Sequence, residues 1–442
     1  GISSYMKKHA YGTTETTDLW ESLEEVSGEP VRKMMDSWIF QGGHPSVRVE
    51  ATDIGVRLTQ SRFEYLSNGS DSQLDASSPS WLIPVTLRAR ALGSTEGLEV
   101  HYVLDDPAEL DLGFRPEVVQ VNVGANGFYR SELTPELRQA LCADPTSDAL
   151  ERFMLIDDAC AALHAGTVGY DEVWDLLTKM APREMDPAVW RRIGSAAREL
   201  NRLGGDANRA AVRRRVVDMS SNPLHDVTRL LTGRKSNDSD HDIERLEEVR
   251  GVLIVLRGAL GADARTRGRA REIFNDDTQD ISLMSAAIEV VAGSATPEEH
   301  QELERRWREA STPQEVLRYL TALVDTDLPE LFDHALDLTL NEVRTQNAPY
   351  LLRRALSHDT LGSVAWEFIR DNWDAITEKF PSNSLPRMIE GIRSVTDRQL
   401  ASSIQRFLDS TDLISGEQQI DQHIERMWVT VLVAERVRNS VT

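Results

Sequence analysis

At 442 residues the chain has room for about three domains at roughly 150 residues each, which excludes a peptide or a disulfide-stapled miniprotein. Acidic residues number 72 against 49 Lys plus Arg, a formal charge of −23 that argues against a surface built to track nucleic-acid phosphates. With 40% hydrophobic and 27% charged residues the composition is that of a folded globular protein, and two cysteines, Cys142 and Cys160, suit a reducing cytoplasm better than a disulfide framework or a Cys-rich zinc site.

Residues 1–45 read as helices separated by turns. Tyr5 to Tyr11 is helix-compatible up to Gly12, and Thr17 or Asp18 is placed to cap the next segment. Leu19, Trp20, Leu23 and Val26 form one apolar stripe, which Val31, Met34, Met35 and Trp38 continue after Gly28-Glu29-Pro30. The sequence opens inside this helical unit without a signal-peptide apolar core, and no stretch approaches the ~20 apolar residues of a membrane span. Neither a membrane nor nucleic acid is an expected partner.

Over residues 46–131 the period changes to two. Val47, Val49 and Ala51 alternate with Arg48, Glu50 and Thr52, and Val56 and Leu58 with Arg57 and Thr59, so the spacing predicts a strand pair turning near Asp53-Ile54-Gly55. Further strands are predicted at 81–89, 98–103 and 118–123, with polar loops at 67–73 and 77–80. Several short strands in so few residues predict a small β-sandwich.

Residues 132–442 read as helix throughout. Leu150 to Leu163 form a run that Gly166 ends, and Val173, Trp174, Leu177 and Met180 form the next stripe. Turn signals recur at Asp186-Pro187, Gly204-Gly205, Asn222-Pro223, Thr296-Pro297, Thr312-Pro313 and Leu328-Pro329, and 232–240 reads as an exposed loop tip. Paired helices without a strict period predict an α-solenoid, a superhelix of the HEAT or armadillo kind. The predicted class is mainly α with a small β domain.

Chemical motifs are absent from the sequence. There is no H-E-x-x-H, no phosphate-binding glycine loop and no G-x-S-x-G elbow. His300 and Glu304 lie four apart in a charged run that reads as a solvated, salt-bridged helix, and His241-Asp242 reads as polar loop. Val123-Gly124-Ala125-Asn126-Gly127-Phe128 reads as a turn, and both cysteines as inert thiols on amphipathic helices. Base clusters in two runs, 211–217 and 265–271, each read as a solvated helix face pairing with nearby carboxylates. No catalytic and no metal-binding residue is assigned in this chain.

The run from Tyr5-Met6-Lys7-Lys8-His9-Ala10-Tyr11-Gly12 to Trp38-Ile39-Phe40-Gln41-Gly42-Gly43-His44-Pro45 resembles the end of the catalytic domain in zinc aminopeptidases of the aminopeptidase N family. Trp81-Leu82-Ile83-Pro84 and Val121-Asn122 with Gly127-Phe128-Tyr129-Arg130 are similar to that family's β-sandwich signatures. Arg152 to Gly166 and Ala365 to Trp373 resemble its helical C-terminal domain, and His44 departs from the aromatic residue that the family carries before the Pro.

The resemblance implies three parts: helices closing a catalytic domain at 1–45, a β-sandwich at 46–131 and a helical C-terminal domain at 132–442. It implies a parent enzyme that uses zinc to remove N-terminal residues from peptides. The zinc ligands would lie in a missing catalytic domain, with no cofactor in this chain. Such a fragment is expected to be inactive alone, to enclose a substrate chamber and to control access to it. Arg344, Gln346 and Asn347 are the expected chamber-wall residues, Arg344 for a peptide carboxylate and Gln346 for its backbone, although a helix cap explains the same positions. The alternative is a stand-alone α-solenoid that binds a peptide or protein partner without catalysis.

Overall fold

A computed structural model of the chain describes residues 1–67, 80–91, 93–94, 96–144, 146–234, 239–276, 280–411 and 416–441. The polar stretches at 68–73, 77–79 and 235–238, read as loops from sequence, lie outside these. The fold is mainly helical with two small sheets, and the chain divides into two compact units, 1–65 with 69–167 and 168–442.

The first unit opens with α1 (Ile2–Lys8), α2 (Thr16–Ser27) and α3 (Val31–Ile39). Neither Thr17 nor Asp18 is the cap of α2. Glu15 holds that position and exchanges side-chain hydrogen bonds with Asp18, a reciprocal box that satisfies two orphan N–H groups. Gly28 ends α2 at φ +74°, where a side chain would clash with the backbone. Of the six large apolar side chains in the stripe, Trp20 alone is buried, at 4% exposure. Leu19, Leu23, Met34, Met35 and Trp38 are half-buried, and Ile39 and Phe40 stand in solvent.

Seven strands follow: β1 (Pro45–Ala51), β2 (Gly55–Arg62), β3 (Ile83–Ala91), β4 (Leu98–Leu104), β5 (Ala108–Asp111), β6 (Pro116–Val121) and β7 (Arg130–Leu133). They form two sheets, β5-β2-β1-β7 and β4-β3-β6. β1 and β2 are antiparallel with Val49 opposite Leu58, the pair anticipated from the alternation, while β5 and β7 are too short to leave a periodic signal. Val47, Val49, Val56 and Leu58 from one sheet share a core with Trp81, Ile83, Val85 and Leu87 from the other. The turn after β6 is held by Asn122, which accepts from Gly127 N–H at 2.7 Å and donates to its carbonyl at 3.0 Å.

α4 (Pro135–Ala143) and α5 (Ala149–Ala165) complete this unit. Glu151, 2% exposed, accepts from Arg88 at 2.8 Å, from Gly124 N–H at 3.2 Å and from Asp148 N–H at 3.1 Å. One buried carboxylate thus ties a strand, a turn and a helix start together, which satisfies the requirement that a desolvated charge be paired.

The second unit is all helix. It begins with α6 (Tyr170–Met180), α7 (Pro187–Thr232), α8 (Asp240–Val255), α9 (Ala264–Asn275) and α10 (Ile281–Ala292). It continues with α11 (Pro297–Glu309), α12 (Pro313–Leu323), α13 (Pro329–Asn341), α14 (Ala348–Leu356) and α15 (Gly362–Asp371). The last four are α16 (Trp373–Lys379), α17 (Leu385–Ile389), α18 (Arg398–Asp409) and α19 (Glu417–Val441). Thr296 and Thr312 cap α11 and α12 with reciprocal Glu299 and Glu315, each followed by Pro at the first helical position, so those X-Pro signals mark starts. One core runs from Ala270 in α9 to Val431 in α19 and includes Phe332, Trp366, Ile376 and Met388.

Two turn signals fall inside one long element, and the first of them interrupts its helical geometry. α7 passes through Gly204-Gly205 with a kink, Gly205 sitting at φ +66° and ψ −169°, and Pro223 lies inside the helix. Arg438 from α19 donates to the carbonyls of Leu203 at 3.2 Å and Arg202 at 3.3 Å and to the Thr396 hydroxyl at 2.8 Å. A cation from the far end of the chain therefore caps the first half of α7, as a basic side chain does at a helix C-terminus. His241 and Asp242 fall in the first turn of α8 and not in a loop. His300 is not solvated: at 1% exposure its Nε2 lies 3.3 Å from the Leu323 carbonyl, while the Glu302–Arg306 and Glu304–Arg308 ion pairs follow the charge pattern.

Candidate functional site

α7 carries arginines at 191, 198, 202, 209 and 213, spacings of seven, four, seven and four that repeat one helical face. Asp186 fixes the start of that face by accepting from the N–H groups of Ala188 and Val189. Two concavities line up along it within the second unit. The larger, about 840 Å³, lies between the first half of α7, α8 and α10 and includes Arg191, Arg198, Arg202, Glu248 and Glu289. The smaller, about 310 Å³, shares Arg198, Arg202 and Glu289 and extends to Arg213, to Arg267 on α9 and to Arg354 on α14.

Most of these guanidinium groups have a carboxylate. Arg191 pairs with Glu248, Arg198 with Glu289 at 3.4 Å and Arg202 with Asp359 at 3.3 Å. Arg354 forms two bonds to Asp325 at 2.5 and 2.6 Å. Burial pulls the Arg354 guanidinium down, and the Asp325 carboxylate more than reverses this, leaving it above its ordinary value. The wall is thus a mosaic of exchangeable ion pairs between short apolar stretches such as Val252, Val255 and Leu256, suited to polar, extended ligands.

Arg344, Gln346 and Asn347 lie in the turn before α14 and line neither concavity. Arg344 and Gln346 are exposed and Asn347 is half-buried. Asn347 occupies the N-cap position of α14, as the helix-cap explanation has it, but its side chain makes no cap bond. The Arg344 carbonyl instead accepts from the N–H groups of Asn347 at 2.9 Å and Ala348 at 3.1 Å. Among the described residues Arg344 makes no ion pair, so its charge faces solvent. Sequence reasoning missed the arginine face of α7, whose signal was the spacing of seven and four.

Comparison with known proteins defines the class. Residues 118–427 match the ERAP1-like C-terminal domain, and residues 1–38 match the peptidase family M1 domain. This chain belongs to the ERAP1-like C-terminal domain family and corresponds to an M1 aminopeptidase C-terminal fragment. It is 25% identical over 465 residues to Aminopeptidase M1-A of Oryza sativa subsp. japonica, covering 99% of this chain and 50% of that protein. To Aminopeptidase M1 of Arabidopsis thaliana it is 26% identical over 471 residues, covering 99% and 51%. To Tricorn protease-interacting factor F2 of Thermoplasma acidophilum it is 29% identical over 256 residues, covering 57% and 29%. The chain spans about half the length of the plant relatives it matches.

M1 aminopeptidases are zinc enzymes, but among the described residues no group of three or more His, Cys, Asp or Glu side chains could hold a metal ion. The residues described here do not fit a zinc centre, and no chemical step is derived through one. No helix among the described residues is long and apolar enough to cross a membrane.

Proposed function

We propose that this chain is the C-terminal portion of a zinc-dependent aminopeptidase that removes N-terminal residues from peptides, and that it encloses the substrate chamber and controls access without carrying the zinc centre. The observation that carries this reading is the order of two family matches in one chain, the M1 domain at 1–38 followed by the ERAP1-like C-terminal domain at 118–427. On this reading 1–45 are the closing helices of the catalytic domain, 46–131 a β-sandwich spacer and 132–442 an α-solenoid. The shared core of the two sheets and the concave arginine face of α7 support that division of labour. A concave wall that excludes bulk water strengthens electrostatic contacts to a peptide inside it.

Arg344, with its unpaired charge, takes a peptide carboxylate in this proposal, Gln346 takes the peptide backbone, and Asn347 stands beside them in the chamber wall. Two cysteines outside any disulfide support a cytoplasmic setting.

The test compares the 442-residue chain with the same chain joined to an upstream M1 catalytic half. The chain alone is expected to bind no stoichiometric zinc and to release no aminoacyl product. The joined protein is expected to do both. In it, Arg344→Ala should raise KM for peptides by about tenfold, the loss of one charge-assisted contact, while leaving hydrolysis of single-residue amide substrates unchanged. Chelator-sensitive turnover by the chain alone would overturn the proposal. Peptide binding with no activity in the joined protein would favour the stand-alone binding module.

A further inference from the structure

The two arginine-rich runs, 211–217 and 265–271, have no assigned ligand in the aminopeptidase reading. Some of their members behave as a solvated face would. Arg215 pairs with Asp171 at 3.0 Å, Arg269 with Glu272 at 2.6 Å and Arg271 with Glu299 at 2.7 Å. Arg213 and Arg267 do not. They converge from α7 and α9 on the smaller concavity, and neither forms an ion pair within 4.0 Å of a described carboxylate.

Arg267 uses Nε and one Nη2 donor on the carbonyls of Gly258 at 2.8 Å and Ala259 at 3.5 Å, which fixes the guanidinium without neutralising it and leaves its other donors for a ligand. Asp327 is the carboxylate that acts on it through space, and Asp327 also lies 3.8 Å from His358. Burial and the nearby Arg213 charge together lower the Arg267 affinity for its proton, the mark of two cations facing each other. Arg198, Arg202 and Arg354 in the same cavity all have carboxylates, in a chain where acidic residues outnumber basic ones by 72 to 49. Two guanidinium groups without a carboxylate in contact, in that setting, mark a place where a closer counter-charge comes from outside.

We propose that Arg213 and Arg267 form an anion subsite for a phosphate group, either free phosphate or a phosphorylated side chain. Two cations from separate helices suit a tetrahedral, doubly charged oxyanion better than a single carboxylate, because each planar fork can satisfy two of its oxygens. The subsite does not depend on the aminopeptidase reading, and the chain alone suffices to test it.

Calorimetric titration of the 442-residue chain would use inorganic phosphate, a short phosphoserine peptide, and the same peptide with unmodified Ser and a free C-terminal carboxylate. Saturable binding of a phosphate-bearing ligand is expected, weakened on the order of 10- to 100-fold by Arg213→Gln and partly kept by Arg213→Lys. Arg213 is exposed and makes no ion pair with a described residue, so its replacement leaves the fold intact, which circular dichroism checks. Lys33→Gln, exposed on α3 and outside the cavity, should change nothing. Phosphate and phosphopeptide binding alike would identify the free anion as ligand, and much tighter phosphopeptide binding the modified side chain. No saturable phosphate binding, binding unaffected by Arg213→Gln, or equal binding of the unphosphorylated peptide would overturn the proposal.

Discussion

Asp158 shows what a single buried charge does in this protein. It lies on α5, where Arg130 donates to it at 3.1 Å and the Ser131 N–H at 3.1 Å. Burial pushes its carboxyl from 3.8 up to about 6, against the pull of Arg130. Because the folded chain holds this proton more tightly than the unfolded one, its stabilising contribution is complete below pH 3.8 and is lost as pH rises through about 6. Asp158→Asn removes that titration. Between about pH 4 and pH 6.5 the parent chain should lose up to about 3 kcal/mol relative to Asp158→Asn, at ~1.4 kcal/mol per pKa unit, with no further divergence above. Urea unfolding at several pH values measures this, and parallel profiles would show that Asp158 does not titrate in this range. The sequence displays Asp157-Asp158 on an otherwise apolar helical run, but which carboxylate turns inward depends on Arg130 and Ser131, two strand residues whose register no local pattern reveals.

α7 is where local rules and the folded chain part most clearly. Gly-Gly and Asn-Pro are sound turn signals taken alone, since glycine loosens a helix and proline removes a donor. Here only Asn-Pro is overruled, Pro223 lying inside the helix, whereas Gly205 does interrupt it, and the freed carbonyls at Arg202 and Leu203 are satisfied by Arg438, separated from them by 236 and 235 positions in sequence. Gly205 is the residue that permits the bend. Its backbone lies where only glycine is comfortable, and a Cβ there would come 3.1 Å from Arg438 Nε. Gly205→Ala should cost about 1–3 kcal/mol in urea unfolding, whereas Gly268→Ala, mid-helix with open space around it, should stabilise by up to ~1 kcal/mol. Equal effects at the two sites would refute the role given to the kink. By contrast, the end of α5 at Gly166 and the β1–β2 pair were legible, because a capping glycine and strict alternation act within a few residues.

For the chain as a body, the apolar helices at its start are the feature that composition alone could not assess. The stripe through Trp20, Leu23, Met35 and Trp38 was visible in sequence, but how much of it the chain itself covers was not. Within the described residues only Trp20 is fully buried, and Phe40 is 77% exposed. If an M1 catalytic domain covers this face, Ile39→Asp with Phe40→Asp should leave the unfolding free energy of the isolated chain within about 0.5 kcal/mol, the usual range for exposed sites. The same pair should abolish association with a separately produced catalytic half, measured by sedimentation. Retained association would place the contact elsewhere. Of the candidate sites, the turn at Arg344 came from a family likeness, while the arginine-lined concavity needed three helices brought together before its charges could be counted.

The latch made by Arg438 also bears on how the protein is born. Translation delivers the carbonyls of Arg202 and Leu203 a full 236 and 235 residues before the guanidinium that completes the bend. On the ribosome the nascent helix therefore carries those carbonyls bare, exposed to water or to a chaperone, until α19 emerges. Completion of the bend thus comes after synthesis of every helix that lies between α7 and α19.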